Sequence, residues 1–556
     1  MGAPDRLTET PDLGGAYPRL TDMQIAELER YGERRRTEEG EVLIREGEHP
    51  PAFYVITDGL VTVLDGYGTS DERQLGTHGR GRFLGELALV IGQPAFITSV
   101  VRRAGEVLAV PVDRLHEVAV HDAKLADLIT RAYLARREML IELGAGLRII
   151  GSRYSPDTRR LRDFAARNRL PHRWVDLERD PAASTLLREL GIGPEDTPVV
   201  VWSGTRVLRN PGNEELAREA GLPAPGAIET DADLLVVGAG PAGLAASVYG
   251  ASEGLRTVTL DSVAAGGQAA TSSRIENYLG FPAGISGAEL AERAVVQAEK
   301  FGAVITVPGE AVGLDEDEGY QVVRLADGRT IRARTVLIVT GARYRRLDVP
   351  GIDRLEQSSV YYAATDIEAQ QCAPDPVAVV GGGNSAGQAA VFLADHVAQV
   401  SLIVREDELT RNMSFYLADR IERNPKIEVL LHHEVAELVG DRVLEAVTVS
   451  DRATGDARTV DARSLFVFIG AQPHAGWVGD GVALDEGGFV RTGPEAISDG
   501  RAETWRKLDR APLLLETSQP GVFAAGDVRS GSVKRVASAV GEGAMAVRLV
   551  HEYLLA

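Results

Sequence analysis

Two glycine-rich turns are the places where this chain could bind a nucleotide. The first turn, Gly238 to Gly243, follows the apolar run 234–237 and precedes an alanine-rich stretch. Glycines let the backbone approach a pyrophosphate, and the N-terminus of the following helix favours its negative charge. The apolar run 257–260 ends in Asp261, 18 residues beyond Gly243, where a carboxylate accepts hydrogen bonds from ribose hydroxyls. The turn and its flanking elements therefore predict a dinucleotide site.

The second turn, Gly381 to Ala386, repeats this pattern after the apolar run 377–380. The next apolar run, 400–404, is followed by Arg405 instead of an acid. An arginine there suits the 2′-phosphate of NADP better than the free 2′-hydroxyl of NAD. Two such units imply two dinucleotides, and a flavin that faces a nicotinamide cofactor is the usual reason for the pair.

Composition restricts the remaining functions. The 556 residues include 60 Lys+Arg, 81 Asp+Glu and one cysteine, with a net charge of −21. This charge repels a phosphate backbone, so we expect no nucleic-acid partner. One cysteine excludes a CxxC motif, and His432 and His433 lack accompanying ligands, so we assign no metal. No run approaches the roughly 18 apolar residues that cross a bilayer, so we expect no membrane partner and a cytoplasmic location.

The elements around the turns indicate a multidomain fold. Short apolar runs between 20 and 112, separated by turn signals such as Asp58-Gly59, predict a β-roll. Apolar residues at helical spacing then predict one long helix from Asp113 to about Leu143. The segment 147–220 reads as a small α/β domain, and a Pro/Gly-rich linker at 221–226 precedes two Rossmann-like α/β domains.

Residues 229–556 resemble the low-molecular-weight thioredoxin reductases. Besides the two turns, the resemblance rests on Gly266 to Gln268, 275–278, 280–282, 340–342 and 521–527. It implies an FAD domain split into 229–345 and 471–556, an inserted NAD(P)H domain at 346–470, and a homodimer. It also implies that Asp527 binds the flavin side chain and that 533–536 lead into a helix whose N-terminus faces the flavin. The expected FAD residues are Gly238, Gly240, Pro241, Ala242, Gly243, Asp261, Gly266, Gln268, Asn277, Gly526, Asp527, Arg535 and Val536, and those for NADPH or NADH are Gly383, Asn384, Ser385, Arg405 and Arg411.

The chain departs from this family at the position of the redox dithiol. Where the reductases carry CxxC followed by Asp, Tyr362 and Thr365 stand at the cysteine positions, before Asp366. No dithiol can relay electrons there, and we expect the lone Cys372 to be inert. Asp366 is the one candidate catalytic residue, as a proton donor. The two-arginine cluster of the reductases is also changed, because Glu406 follows Arg405, so the choice between NADPH and NADH stays open.

Residues 146–225 resemble a thioredoxin domain without cysteines. Thr197-Pro198 falls where that fold has its cis-proline, and Arg153 to Asp157 occupy the active-site position. We therefore expect a docking or structural module, because fold alone does not carry function.

Residues 18–145, the roll with its long C-terminal helix, resemble a cyclic-nucleotide-binding domain. The resemblance rests on Gly40, Glu46-Gly47, 53–56 with Gly59, and 83–89. It implies a phosphate-binding cassette that begins at Gly85, Glu86, Leu87 and Ala88. The stretch 93–99 lacks the arginine that pairs with the phosphate in that family, so binding of a cyclic nucleotide stays open.

Together these features predict an FAD-dependent NAD(P)H oxidoreductase of thioredoxin-reductase type without its own dithiol. Hydride would pass from the nicotinamide to flavin N5, and the electrons would then leave to an external acceptor that the sequence does not identify. The N-terminal domain would regulate this reaction. Two alternatives stay open: a thioredoxin-disulfide reductase that uses a partner's dithiol, and a non-catalytic flavin and nucleotide sensor.

Overall fold

The computed structural model describes most of the chain, which divides into two compact units, Met1–Ala224 and Pro225–Ala556. Within the described residues, no helix has the length and apolarity needed to cross a membrane. The described ranges are 8–69, 71–85, 93–180, 183, 187–188, 191–193, 196–202, 206–223, 231–272, 274–356, 358–362, 364, 366–497 and 502–555.

The first unit begins with a β-roll. Its strand order is β1-β6-β3-β4, with β2 on β6 and β5 on β3. The strands are β1 (Glu33–Thr37), β2 (Val42–Ile44), β3 (Ala52–Asp65), β4 (Arg73–His78), β5 (Phe83–Leu84) and β6 (Thr98–Pro111), and the helices are α1 (Asp22–Leu28), α2 (Val112–His121) and α3 (Ala123–Glu142).

Two details of the roll differ from the sequence prediction. Asp58-Gly59 is not a turn between strands but an irregularity inside β3, where the pairing with β6 shifts register. Gly59 has φ +96°, and a Cβ atom there would lie 2.6 Å from Arg103 O, so the two runs continue as one bent strand. The predicted long helix is interrupted at Asp122, whose carboxylate caps α3 by accepting from Lys124 N and Leu125 N.

A four-stranded sheet with order β10-β9-β7-β8 completes the first unit. Strands β7 and β8 are parallel, β9 is antiparallel to β7, and the Thr197–Pro198 peptide is cis. The module packs on the roll through stacked Phe96 and Trp202 rings, 5.4 Å apart, and through the buried Arg148, which pairs with Asp71 at 3.1 Å. Its elements are β7 (Leu147–Gly151), α4 (Pro156–Arg167), β8 (His172–Asp176), β9 (Val199–Trp202), β10 (Arg206–Arg209) and α5 (Asn213–Glu219).

The second unit contains a sheet built from two separate parts of the chain. Strands β13-β12-β11-β16-β15-β14 form the sheet, and β27, from near the C-terminus, pairs with β16. The parallel segments 234–237, 257–260 and 335–338 are buried throughout, as expected for strands covered on both faces. The elements are β11 (Ala232–Val237), α6 (Pro241–Ser252), β12 (Thr257–Leu260), α7 (Gly287–Lys300), β13 (Val304–Thr306), β14 (Ala311–Asp317), β15 (Tyr320–Leu325), β16 (Thr330–Ile338), β27 (Val522–Ala524) and α13 (Val536–Leu555).

Between β16 and β27 the chain forms a second parallel sheet, in the order β18-β25-β19-β20-β21, and a three-stranded antiparallel sheet, β22-β23-β24. The chain enters and leaves through the paired strands β17 and β26. The elements are β17 (Ala342–Tyr344), α8 (Ile352–Leu355), β18 (Val360–Tyr361), α9 (Asp366–Cys372), β19 (Val377–Val380), α10 (Asn384–Ala394), β20 (Val400–Ile403), α11 (Phe415–Glu422), β21 (Ile427–Leu430), β22 (His433–Val439), β23 (Ala446–Asp451), β24 (Ala457–Asp461), β25 (Ser464–Val467) and β26 (Ala471–Pro473), followed by α12 (Ala502–Lys507).

Candidate functional site

The first glycine turn joins the end of β11 to the start of α6. Gly238 has φ +115°, and a Cβ atom there would lie 2.4 Å from Val339 O. A Cβ atom at Gly243 would lie 1.9 Å from Gly238 O. The turn is therefore as tight as the backbone allows, and it directs the N-terminus of α6 outward over the sheet edge.

A second glycine segment faces this turn. Gly266 N donates to Ala239 O at 2.6 Å, and a Cβ atom at Gly267 would lie 3.0 Å from Gly240 Cα. The two bare backbones form a cradle that side chains would fill, beside the positive end of a helix dipole. This arrangement fits the pyrophosphate of FAD. Gly267 was not among the sequence-predicted residues, although it lies between two that were.

Asp261 follows β12 and lies against the first turn. Its Oδ2 accepts from Ala239 N at 2.9 Å, and its Oδ1 accepts from Val263 N and Ala264 N, both at 3.0 Å. A carboxylate offers about four acceptor positions. The backbone occupies three of them, so Asp261 holds the turn in shape as well as standing at the predicted ribose position.

The segment Gly526-Asp527 closes the same site from the C-terminal part of the chain. Gly526 N donates to Glu542 Oε2 at 2.7 Å, and a Cβ atom at Gly526 would lie 3.1 Å from Ala242 Cβ. Burial, together with the negative Glu542, raises the pKa of Asp527, while Lys534 opposes this shift. Glu542, on α13, was missed by sequence reasoning because nothing local marks it as a partner of the Gly526 amide.

The remaining predicted FAD residues occupy different environments. Gln268 Nε2 donates to Ala342 O, which ties the first domain to the strand that leaves it. Asn277 and Arg535 are exposed, and Val536 begins α13. Pro241 is the first residue of α6, where its missing N–H costs nothing.

The second glycine turn joins β19 to α10 and is as tight as the first turn at its first glycine, where a Cβ atom at Gly381 would lie 2.3 Å from Phe468 O. A Cβ atom at Gly383 would meet nothing within 4 Å, and Ala386 takes the place that Gly243 occupies in the first turn. Asn384 Oδ1 accepts from Ser414 N at 2.7 Å, and Ser385 is exposed. The predicted arginines are both paired with acids: Arg405 with Glu406 and Arg411 with Asp407, each at 3.1 Å. Glu406 was not a predicted site residue.

Tyr362, which the resemblance puts at the position of the first reductase cysteine, is held in place by its neighbours. Tyr362 is half-buried and donates its O–H to Glu356 Oε1 at 2.6 Å, and Glu356 also pairs with Arg346 at 2.9 Å. Burial and Glu356 raise the pKa of Tyr362. Asp366 begins α9, but its side chain and Thr365 lie outside the described residues.

Cys372, at the end of α9, is buried. Its Sγ lies 3.1 Å from Ser464 Oγ and donates a hydrogen bond to it. The thiol is therefore shielded from solvent and lies in the core of its domain.

The roll contains a cleft of about 600 Å³, part of it open to solvent. Apolar side chains such as Ile44, Leu84 and Ile97 line it together with His78 and Arg136, and Gly85 stands at its edge. Burial, followed by the nearby Arg136, Arg82 and Arg19, lowers the pKa of His78 to about 3. Glu86, Leu87 and Ala88 of the predicted cassette lie outside the described residues.

Two Rossmann-like units, one inserted into the other, define an oxidoreductase of the class that brings a flavin and a nicotinamide dinucleotide together. The family model described as pyridine nucleotide-disulphide oxidoreductase matches residues 232–543, and the chain belongs to this family. It is an FAD-dependent NAD(P)H oxidoreductase. The model described as cyclic nucleotide-binding domain matches residues 34–122, so the chain also contains that domain.

Individual relatives agree with this assignment. The thioredoxin reductase of Treponema pallidum (strain Nichols) is 32% identical over 327 residues, covering 59% of this chain and 98% of that protein. The thioredoxin reductase of Peptoclostridium acidaminophilum is 31% identical over 328 residues, covering 58% of this chain and 96% of that protein. The crystal structure of T. acidophilum thioredoxin reductase aligns with a TM-score of 0.53 at 31% identity, covering 59% of this chain and 100% of that chain. The predicted resemblances to the reductases and to a cyclic-nucleotide-binding domain are thus confirmed.

Proposed function

We propose that this oxidoreductase lacks a dithiol of its own and delivers electrons from reduced flavin to an acceptor outside the chain. The proposal rests on the single cysteine of the sequence and on the resemblance that puts Tyr362 and Thr365 at the positions of the reductase cysteines. Tyr362 donates its O–H to Glu356, and Cys372, the one cysteine of the sequence, is buried and donates its S–H to Ser464. A tyrosine hydroxyl and a single thiol cannot form a disulfide, so the chain has no internal dithiol to relay electrons.

When bound, FAD would supply hydride-transfer chemistry, accepting the two electrons and proton of a hydride from NAD(P)H and passing the two electrons to the acceptor while the proton goes to solvent or to the acceptor. The chain contributes position and charge. The turn 238–243, with Gly266, Gly267 and Asp527, would hold FAD in domain segments 229–345 and 471–556. The turn 381–386, in 346–470, would hold the nicotinamide dinucleotide. The N-terminus of α13 would face the flavin, where free N–H groups and positive charge stabilise a developing anion.

The four-stranded module, 146–225, is proposed as a thioredoxin-like domain without redox function. Its sheet order supports the fold, and Arg153, in the segment at the active-site position, is paired with the buried Asp176 at 3.3 Å. Its packing on the roll supports a structural role, because both belong to one compact unit.

The cleft of the roll is proposed to regulate the enzyme by binding an anionic ligand such as a cyclic nucleotide. Arg136 and Arg82 surround the cleft-lining His78, which stays neutral at physiological pH because of their charge and its burial. A cationic environment beside apolar walls suits a phosphate attached to a base. This charge would substitute for the arginine that the stretch 93–99 lacks.

Anaerobic mixing of the FAD-loaded chain with NADH or NADPH tests the proposal. We expect the flavin absorbance near 450 nm to bleach, and to return on addition of oxygen, a quinone or ferredoxin. Thioredoxin as the acceptor tests the use of a partner's dithiol. Absence of bleaching with both nucleotides would contradict an oxidoreductase and favour a sensor.

Cys372→Ser tests whether the one thiol of the chain takes part in electron transfer to the acceptor. The serine hydroxyl still donates to Ser464, so the variant should fold and turn over as the wild type does. Loss of electron transfer in Cys372→Ser with normal bleaching would overturn the proposal that the chain uses no thiol. Repeating the assay with cyclic AMP or cyclic GMP tests regulation: unchanged rates and no binding would leave the roll structural.

A further inference from the structure

The two Rossmann-like domains, which contain the first and the second glycine turn, can be matched residue by residue through their backbone hydrogen bonds. Gly238 N donates to Leu260 O at 2.8 Å, and Gly381 N donates to Ile403 O at 3.0 Å. One residue further, Asp261 N donates to Thr306 O and Val404 N donates to Leu430 O, at 3.1 and 2.9 Å. Val404 is therefore the counterpart of Asp261, and the domain of the second glycine turn has no acid at the usual ribose position.

A carboxylate nevertheless reaches the second turn, from Glu406 two residues later. A Cβ atom at Gly382 would lie 2.6 Å from Glu406 Oε2. Gly382 is the counterpart of Ala239, whose N–H donates to the Asp261 carboxylate in the first unit. The two carboxylates thus arrive beside the same position of the two turns by different routes.

Glu406 uses only one of its two carboxylate oxygens for hydrogen bonds within the described structure. Its side chain is 14% exposed, and Oε1 accepts from Arg405 Nε at 3.1 Å and from Asn412 Nδ2 at 3.3 Å. Oε2 is buried and has no hydrogen-bond partner within the described part of the chain. A buried carboxylate oxygen without a partner is costly, and a ribose hydroxyl would satisfy it.

The charges of the surrounding loop point the same way. Residues 405–411 carry two arginines and three acids, a net charge of −1. Arg405 pairs with Glu406 and Arg411 with Asp407, so both cations are already partly neutralised. A 2′-phosphate carries almost two negative charges and would meet a fixed carboxylate at short range.

We propose that Glu406 makes this enzyme select NADH over NADPH. Its free Oε2 accepts a hydrogen bond from the ribose 2′-hydroxyl of NADH and repels the 2′-phosphate of NADPH. The inference rests on the proposal that the turn 381–386 holds the nicotinamide dinucleotide.

Calorimetric titration of the FAD-loaded full chain with NAD⁺ and NADP⁺ tests the selection without turnover. We expect NAD⁺ to bind at least about tenfold more tightly, which corresponds to about 1.4 kcal/mol. The fragments 5′-AMP and adenosine 2′,5′-bisphosphate, which lack the nicotinamide ring, should show the same order. Glu406→Gln should narrow the ratio, because the amide removes the repulsion, and Glu406→Arg should invert it. In steady-state assays the change should appear in KM and leave kcat nearly constant.

Glu408→Gln is the matched control, since it removes the same charge from the same loop but from an exposed residue. It should leave the NAD⁺ to NADP⁺ ratio within about twofold. Equal binding of the two nucleotides by the wild type, or an unchanged ratio in Glu406→Gln, would overturn the role of Glu406 while leaving flavin reduction intact. If neither nucleotide binds and the flavin stays oxidised, the nicotinamide site itself is wrong, and the inference falls with it.

Discussion

The two glycine turns of this chain share one pattern of backbone hydrogen bonds to the neighbouring strand. They differ in the residue at the last position and in the residue that brings a carboxylate to the turn. In the first, a carboxylate at the strand end accepts three backbone N–H groups, and Gly243 permits a contact that no side chain could share. In the second, Val404 follows the strand, alanine replaces the last glycine, and the carboxylate comes from the next loop. The first turn therefore leaves no room for a Cβ atom at its last position, whereas the second turn accommodates the one of Ala386.

The sharpest contrast lies at the last position of each turn. Gly243→Ala would place a Cβ atom 1.9 Å from Gly238 O, so the backbone must move. We expect a loss of about 3 kcal/mol and of most of the bound FAD, measured by thermal unfolding and by the ratio of absorbance at 450 and 280 nm. The reverse change in the second turn, Ala386→Gly, should lower the free energy of unfolding by only about 0.5–1 kcal/mol and leave the FAD content unchanged. Similar damage from both variants would remove the distinction between the turns.

The glycine at the third residue of each turn should distinguish the two proposed ligands. Gly240 and Gly383 have ordinary negative φ values, −71° and −97°, so alanine fits the backbone of both. Gly240→Ala should weaken FAD at least about tenfold, because its methyl group projects toward the pyrophosphate cradle. Gly383→Ala should retain FAD and raise the KM for the nicotinamide nucleotide. Equilibrium dialysis of FAD and steady-state kinetics distinguish these outcomes; FAD loss in Gly383→Ala would contradict the assignment.

The two carboxylates should also differ in what they stabilise. In Asp261→Asn the amide can accept at only one atom, so at least one of three backbone N–H groups loses its partner. We expect a loss of about 1–3 kcal/mol in the FAD-free protein, measured by thermal unfolding. Glu406→Gln should leave the unfolding temperature within about 1 °C, since its Oε2 holds no part of the described fold. A large destabilisation there would indicate that Glu406 is structural.

The smallest effect is expected at the contact between the two domains. Arg420 Nη1, on α11, lies 3.4 Å from Glu276 Oε1, which belongs to the domain of the first glycine turn. The two side chains are 52% and 37% exposed. An exposed pair of this kind contributes less than about 1 kcal/mol. Arg420→Ala, Glu276→Gln and the double variant, compared in a thermodynamic cycle, should give a coupling energy below that value. A larger coupling would mean that this ion pair fixes the orientation of the nicotinamide domain.

Sequence reasoning predicted the turns well because their constraints are local. A strand, a glycine pattern and a helix follow one another directly, so spacing alone identifies Gly238 and Gly381. It misread Asp58-Gly59, since a glycine in a bulge and a glycine in a turn look alike until the partner strand is known. It also missed Gly267 and Glu542, because each acts on a segment distant in the chain.

By itself, the sequence determined the two glycine turns with their flanking elements, the resemblance to the reductases and to a cyclic-nucleotide-binding domain, and the presence of a single cysteine, which are matters of residue type and spacing. Only the tertiary structure decided how each site is completed. The reason is that a side chain acts where its end lies, not where its Cα atom lies. The sequence places Arg405 at the end of the run 400–404, but the fold turns the carboxylate of Glu406 back onto Gly382 and pairs it with that arginine.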